Sequence, residues 1–139
     1  MMRLISRYAS RYLDLLIAIV VVILAVFIMI SESRPAEPVM PQYVITGADS
    51  QRGQAAIVKY GCGSCHTIPG IQGANAFVGP SLEHFASRSY IAGNFPNLPE
   101  NLVPWIENAQ AMLPNNAMPN MNVSPGDARD IAAYLYTLH

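Results

Sequence analysis

The amino-acid sequence predicts a small all-α domain that follows one membrane-spanning helix. Three observations support this prediction: an unbroken apolar run near the N-terminus, apolar stripes at helical spacing further on, and no alternating strand pattern. The 139 residues allow one small domain and an appendage. The formal net charge of −1 gives no indication of nucleic-acid binding.

The N-terminal segment combines a basic arm with an apolar run. Residues 1–11 contain three arginines and no acidic side chain, and the unbroken apolar run extends over Leu15–Ile30. Two interpretations compete: a secretory signal peptide cleaved near Ser31–Ser33, or a membrane span of about 20 residues. The run is long for a signal. We therefore predict a retained transmembrane anchor over residues 12–31, with the basic arm in the cytoplasm.

Residues 32–48 are predicted to form a tether between the anchor and the folded domain. Few apolar residues in this stretch could attach it to a core, and its prolines stiffen an extended chain. These prolines are Pro35, Pro38 and Pro41. The folded domain is predicted to occupy residues 49–139.

Two helices of this domain have clear start signals. The first is predicted over Asp49–Tyr60, with Asp49 or Ser50 as its N-cap and Gly61 as its stop. The last is predicted to begin at Ser124, which is followed by a proline and, three positions on, by an acidic residue. Apolar residues at helical spacing continue from there to the end of the chain.

The middle of the domain is predicted to contain one short and one longer helix. Ser81–Ser87 is the candidate for the short one. Asn97 and Glu100 have the spacing of a capping box, and an apolar stripe follows until Pro114 ends it. Pro104, inside this stripe, either starts the helix proper or kinks it.

The residues Cys-Gly-Ser-Cys-His at positions 62–66 form the attachment motif of a c-type haem. Cys62 and Cys65 can each form a thioether with the same porphyrin, which then holds His66 under the iron. A redox disulfide and part of a zinc site are the alternatives. The chain has only two cysteines, which excludes a four-thiolate zinc site, and no βαβ pattern surrounds them. We therefore predict one covalent haem c.

A second iron ligand would make such a protein an electron carrier. Two methionines on the polar loop at residues 114–123 are favoured, because an irregular loop can aim a thioether at the iron, and Pro119 stiffens that loop. A methionine ligand raises the haem potential. The two favoured methionines are Met118 and Met121. Of the other candidates, Met112 lies on the apolar stripe of a helix, His84 on a short helix and His139 at the end of the chain.

The domain resembles the class I cytochromes c, and within them the cytochrome c domain fused to subunit II of bacterial caa3-type haem–copper oxidases. The resemblance covers Gly53–Leu138. No copper-binding half precedes the haem motif, which argues against a complete subunit II. The matching stretches are residues 62–66, 79–82, 86–88, 96–102, 105–106, 116–119 and 134–135.

The resemblance implies roles around the iron. Met118 is implied as the axial ligand, in preference to Met121. The carbonyl of Pro80 is implied to accept a hydrogen bond from His66, which would fix the tautomer of that ligand.

The resemblance also implies contacts further from the iron. Arg88 is expected to face a haem propionate, and Trp105 is expected to pack near the methionine side of the porphyrin. Gly53 is expected to let the first and last helices cross closely against Tyr134.

These patterns together predict a membrane-anchored monohaem cytochrome c, not an enzyme. It would carry single electrons on the periplasmic face of the bacterial inner membrane, between a quinol-oxidising complex and a terminal oxidase. It would be a tethered shuttle or a fixed subunit, with no small-molecule substrate and no nucleic acid. The alternative is a haem c enzyme or gas sensor with an open iron face. The surface near the haem edge is expected to include Ile68, Pro69, Ile71, Asn115, Asn116 and Asn120.

Overall fold

The computed structural model describes residues 2–32 and 43–139, which fall into two units divided near residue 40. The first described unit is one helix, α1 (Met2–Glu32), of 31 residues. The residue range of the predicted tether lies mostly outside the described residues, so the tether stays a prediction.

Helix α1 is long and apolar enough to cross a membrane. The stretch Tyr12–Ile30 has a mean hydropathy of 3.3, and none of it is buried inside the structure. Its large apolar side chains are 47% to 70% exposed. A signal sequence near an N-terminus can meet the same criteria of length and hydropathy, so α1 is a candidate span.

The prediction of an all-α fold is confirmed for the second unit. Its described residues form three helices: α2 (Ser50–Lys59), α3 (Pro99–Met112) and α4 (Pro125–Leu135). Two strands of two residues each also pair antiparallel, β1 (Tyr90–Ile91) with β2 (Phe95–Pro96). Strands this short leave no alternating pattern in a sequence, which explains why they were not predicted.

Helices α2 and α4 cross in direct backbone contact at Gly53. A Cβ atom at this position would lie 1.9 Å from the carbonyl oxygen of Asp130, so only glycine permits the contact. The close crossing of the first and last helices at Gly53 agrees with the expectation, and the nearest atoms belong to the backbone of Asp130 and Ile131. The expected contact with Tyr134 stays a prediction. The Tyr134 hydroxyl donates to the carbonyl of Pro69 at 2.6 Å.

Charged side chains fasten both ends of α2 to α4. The Asp130 carboxylate, 6% exposed, accepts from the Arg52 guanidinium at 2.7 and 2.9 Å, and this hydrogen bonding holds the pKa of Asp130 below its ordinary value. At the other end Asp127 accepts from Lys59 at 2.8 Å and from Tyr60 at 2.7 Å. These bonds, with that of Lys59 first, lower the pKa of Asp127 to about 2.

The predicted starts of the first and last helices are confirmed. Asp49 is the N-cap of α2, and its carboxylate accepts from the backbone N–H of Arg52 at 2.8 Å. Ser124 is the N-cap of α4, and its hydroxyl accepts from the N–H of Asp127 at 3.2 Å. Both signals are local, so they could be recognised from neighbouring residues alone.

The predicted capping box at Asn97 is wrong. Helix α3 has Leu98 as its N-cap, with no side-chain hydrogen bond there. Asn97 is 5% exposed, and its amide donates to the carbonyls of Phe85 and Arg88 at 2.9 and 3.1 Å. The bond to Phe85 is buried and the bond to Arg88 is partly buried, and leaving such carbonyl groups unpaired is costly. Tertiary folding therefore draws the Asn97 side chain away from the helix N-terminus.

Two further predictions are corrected in detail. The short helix expected over 81–87 is only a 3-10 turn, Phe85–Ser87, because His84 before it has the left-handed φ of 53°. Pro104 lies inside α3, and the break comes at Asn108, whose backbone is extended (φ −157°, ψ 85°). The Asn108 side chain accepts from the N–H of Ala111 at 3.1 Å, so it caps a separate final turn of α3.

Candidate cofactor site

A cavity of about 430 Å³ lies within the second unit. It is within the size range of cofactor pockets, and its lining is mostly apolar. Helices α2, α3 and α4 and the loops between them all contribute to it. Its apolar lining includes Ile57, Ile68, Leu82, Phe85, Ile91, Leu102, Ile106, Leu113, Val123, Ile131 and Leu135.

The Cys-x-x-Cys-His motif lines this cavity. Gly61, with φ of 68°, turns the chain after α2, and the 3-10 turn Cys62–Ser64 follows. Hydrogen bonds of 3.2 and 3.0 Å from the N–H groups of Cys65 and His66 to the carbonyl of Cys62 close this turn. All three functional side chains of the motif therefore line one cavity.

The two thiols are free, and the environment of Cys62 does not favour a thiolate. Burial raises the pKa of the Cys62 thiol, with a smaller contribution from neighbouring Cys65. Cysteines of redox-active Cys-x-x-Cys motifs have lowered pKa values. The structure therefore gives no support to a thioredoxin-like role for the motif.

The His66 ring is fixed by two contacts. Its Nδ1 atom lies 2.7 Å from the carbonyl oxygen of Pro80, which can only accept, so Nδ1 carries the proton. The Nε2 atom is then the nitrogen that can bind a metal. A Cβ atom at Gly79 would lie 2.5 to 3.0 Å from three atoms of the ring. Gly79 belongs to the matching stretch 79–82 of the sequence, but no role of its own was predicted for it.

The loop between α3 and α4 also lines the cavity, and the two candidate methionines on this loop, Met118 and Met121, are among the lining residues. Met112 packs against the core. The described residues that line the cavity do not include Met112, His84 or His139. Of the five candidate ligands, the described lining of the cavity therefore includes only the two loop methionines.

The side chains that hold this loop were not identified from the sequence. Gln110 donates to the carbonyls of Asn116 and Met118 at 2.8 and 2.7 Å. The Asn116 side chain accepts from the N–H of Met118 at 2.8 Å. Gln110 lies on α3, outside the matching stretches, and Asn116 was expected only as part of the surface near the haem edge.

Arg88 and Trp105 both line the cavity. The Nη2 atom of Arg88 donates to the carbonyls of Ser81 and Glu83, and burial lowers the pKa of the guanidinium. Both of these acceptors are neutral carbonyl groups, so an anionic group in the cavity would stabilise this partly buried cation. Trp105 is 8% exposed, with its ring centroid 6.0 Å from that of Phe95.

The set of residues expected at the surface near the haem edge is partly wrong. Ile68 is 2% exposed and belongs to the core, and Ile71 packs against that core. The exposed apolar side chains of this region include Phe77 (88%) and Val78 (82%), immediately before Gly79. Val78 also lines the cavity, so this tip lies beside it.

Residues 50–139 match the sequence model of the cytochrome c family. The chain belongs to this family. The match covers more than half of the chain and includes every residue that lines the cavity. The resemblance to class I cytochromes c is thereby confirmed, and so is the expectation of an electron-transfer protein that binds haem c.

A relative with a related domain is a subunit of an oxidase. Cytochrome c oxidase subunit 2 of Alkalihalophilus pseudofirmus is 32% identical over 90 residues, which cover 64% of this chain and 25% of that protein. The chain thus spans about a quarter of the length of the relative it matches. The similarity supports the cytochrome c domain, and it does not extend to the other three quarters of that subunit.

The residues around the cavity fit haem c. Two free thiols at the attachment spacing, a histidine with one ring nitrogen available, and a thioether on a separate loop are the donors that this cofactor needs. The apolar lining suits a porphyrin, and Arg88 is the cationic side chain in it. No described lining residue is an acid that would oppose the propionates.

Proposed function

We propose that this chain is a membrane-anchored monohaem cytochrome c that carries single electrons on the periplasmic face of the bacterial inner membrane. One observation carries the proposal. The cavity is lined both by the haem-attachment motif and by a loop with two methionines. Donors for both axial positions leave no open coordination site for a substrate, which suits electron transfer and not catalysis.

Residues of the motif would hold a single covalent haem. The thiols of Cys62 and Cys65 would form the two thioethers, and Nε2 of His66 would bind the iron. A haem held in this way supplies reversible one-electron chemistry. The Pro80 carbonyl, 2.7 Å from Nδ1, keeps the proton on that nitrogen and makes His66 a stronger donor.

Met118 is the better candidate for the second axial position. Its own backbone N–H and C=O are both bonded to side chains, those of Asn116 and Gln110. Pro119 follows directly and restricts the backbone further. A thioether is a weak neutral donor, so a fixed backbone helps to keep it in place.

Arg88 and Trp105 would contact the cofactor at its periphery. The Arg88 cation would pair with a propionate, and the indole of Trp105 would pack on the porphyrin. A crystal structure of the haem-loaded protein tests both contacts. A propionate farther than about 4 Å from the guanidinium would overturn the proposed ion pair.

The reaction of the native protein with carbon monoxide distinguishes an electron carrier from a gas sensor or an enzyme. The purified ferrous protein should bind carbon monoxide negligibly, because both axial positions are filled. A redox titration of the same sample should follow a one-electron curve. Rapid and stoichiometric carbon monoxide binding by the wild type would contradict the proposal and indicate an open iron face.

Helix α1 would anchor the domain with the N-terminus in the cytoplasm. The apolar stretch Tyr12–Ile30 and the basic arm before it support this orientation. The protein should remain in the membrane fraction after a high-salt wash and dissolve only in detergent. N-terminal sequencing should show that the mature protein begins within residues 1–11. A soluble protein that begins near Arg34 would show that the segment is a cleaved signal.

The proposed partners are a quinol-oxidising complex as donor and a terminal oxidase as acceptor. The similarity to an oxidase subunit supports the acceptor. Purification of the native protein in mild detergent separates two modes of action. A terminal oxidase that accompanies it indicates a fixed subunit, whereas purification alone, with reoxidation by oxidase-containing membranes, indicates a tethered shuttle. Failure of such membranes to reoxidise the reduced protein would contradict the acceptor assignment.

A further inference from the structure

The side chain of Gln110 joins the final turn of α3 to the methionine loop. Gln110 is partly buried and does not line the cavity. Its Nε2 atom donates to two carbonyl groups of the loop, those of Asn116 at 2.8 Å and Met118 at 2.7 Å. Both donors of one amide are therefore committed to the loop.

Asn116 completes the same connection from within the loop. Its Nδ2 donates to the carbonyls of Ala109 and Leu113 at 3.0 and 2.7 Å, both at the end of α3. Its Oδ1 accepts from the N–H of Met118 at 2.8 Å. The backbone of Met118 is thus tied on both sides to the last turn of α3.

The turn that carries Gln110 is a separate structural piece. The backbone break at Asn108 precedes it, and the Asn108 side chain caps it through Ala111. On the far side the loop begins with Asn115 in the left-handed region, at φ of 64°. Because the loop is irregular, side-chain hydrogen bonds replace the backbone ladder that would hold a helix or strand.

We infer that Gln110 is a positioning residue that keeps Met118 in place on the cofactor side of the loop. This inference rests on the proposed function, in which Met118 is the axial ligand. Gln110 is not among the described residues that line the cavity. It acts through the backbone of Met118, and it sets how often the loop opens and releases that ligand.

Competition by imidazole measures this opening directly. Added imidazole binds ferric haem only when the methionine has left, so its apparent affinity rises with the fraction of open protein. Gln110→Ala removes two hydrogen bonds that close the loop. Imidazole should bind this variant about tenfold more tightly than the wild type, the factor that a loss of one to two net hydrogen bonds produces. Covalent haem should be fully retained.

Gln54→Ala is the matched control. The Gln54 side chain likewise joins a helix to a loop, donating to the carbonyl of Gly70 at 2.9 Å, but it holds the loop after the attachment motif. This variant should leave imidazole affinity unchanged. A purely structural role for Gln110 would lower the melting temperature of both variants without changing imidazole affinity in either.

Gln110→Glu keeps the side-chain shape but replaces both N–H donors with a carboxylate. It should raise imidazole affinity at least as much as alanine does, and it provides the test where the alanine variant does not accumulate. Wild-type imidazole affinity in a folded Gln110 variant would overturn the inference. Failure of the proposed ligation would look different: Met118→Ala would then bind imidazole no more tightly than the wild type.

Discussion

A Cys62→Ala, Cys65→Ala double variant should lose all covalently bound haem and should be much less stable than the wild type. No thioether can form, so haem staining of the denatured protein should disappear. The apolar side chains that line the cavity would lose the contacts that the porphyrin supplies. Protein that does not retain haem should therefore melt at a markedly lower temperature than the wild type.

Ser64→Ala is the control within the same motif. Its hydroxyl donates to the carbonyl of Gly61 at 2.7 Å and lies 3.8 Å from Sγ of Cys65, but a serine supplies no thiol for a thioether. This variant should keep haem staining on a denaturing gel and most of its thermal stability. Staining that persists in the double cysteine variant would show that the haem is held by some other bond.

Met118→Ala should open the iron to carbon monoxide and lower the haem potential. Loss of a thioether removes the ligand that favours the ferrous state. The potential should fall on the order of 0.1–0.3 V, part of the ~0.8 V range over which axial ligands act. The ferric absorption band characteristic of methionine ligation, near the red end of the spectrum, should disappear. Redox titration and carbon monoxide difference spectra measure both effects.

Met121→Ala is the matched control, because Met121 lines the same cavity from the same loop. It should retain the ferric band, exclude carbon monoxide and change the potential little. If the two variants exchange these results, Met121 is the axial ligand and the fold assignment is unaffected. If both retain the band, the second ligand lies outside this loop.

The features that could be predicted from the sequence are those set by neighbouring residues. The caps at Asp49 and Ser124 each use an acceptor within three positions of the donor. The haem motif is similar, since five consecutive residues contain both thiols and the histidine. Hydrophobic spacing identified α2 and α4 for the same reason, because a helical face repeats every three or four residues.

The features that escaped prediction depend on residues brought together only by folding. Asn97 has the local spacing of a helix cap, but its amide bonds the carbonyls of Phe85 and Arg88 instead. Gly79 is needed because the His66 ring, 13 positions earlier, packs on it. Sequence spacing cannot give such distances, and the same limit applies to Gln110 and to the buried position of Ile68.

The most direct test of a covalent haem c is the mass of one peptide. Trypsin cleaves after Lys59 and Arg88, so residues 60–88 form a single peptide that contains the whole attachment motif. Mass spectrometry of the denatured, digested wild-type protein should find this peptide with the added mass of one haem and with no thiol that reacts with an alkylating reagent. A peptide of unmodified mass with two reactive thiols would contradict the assignment.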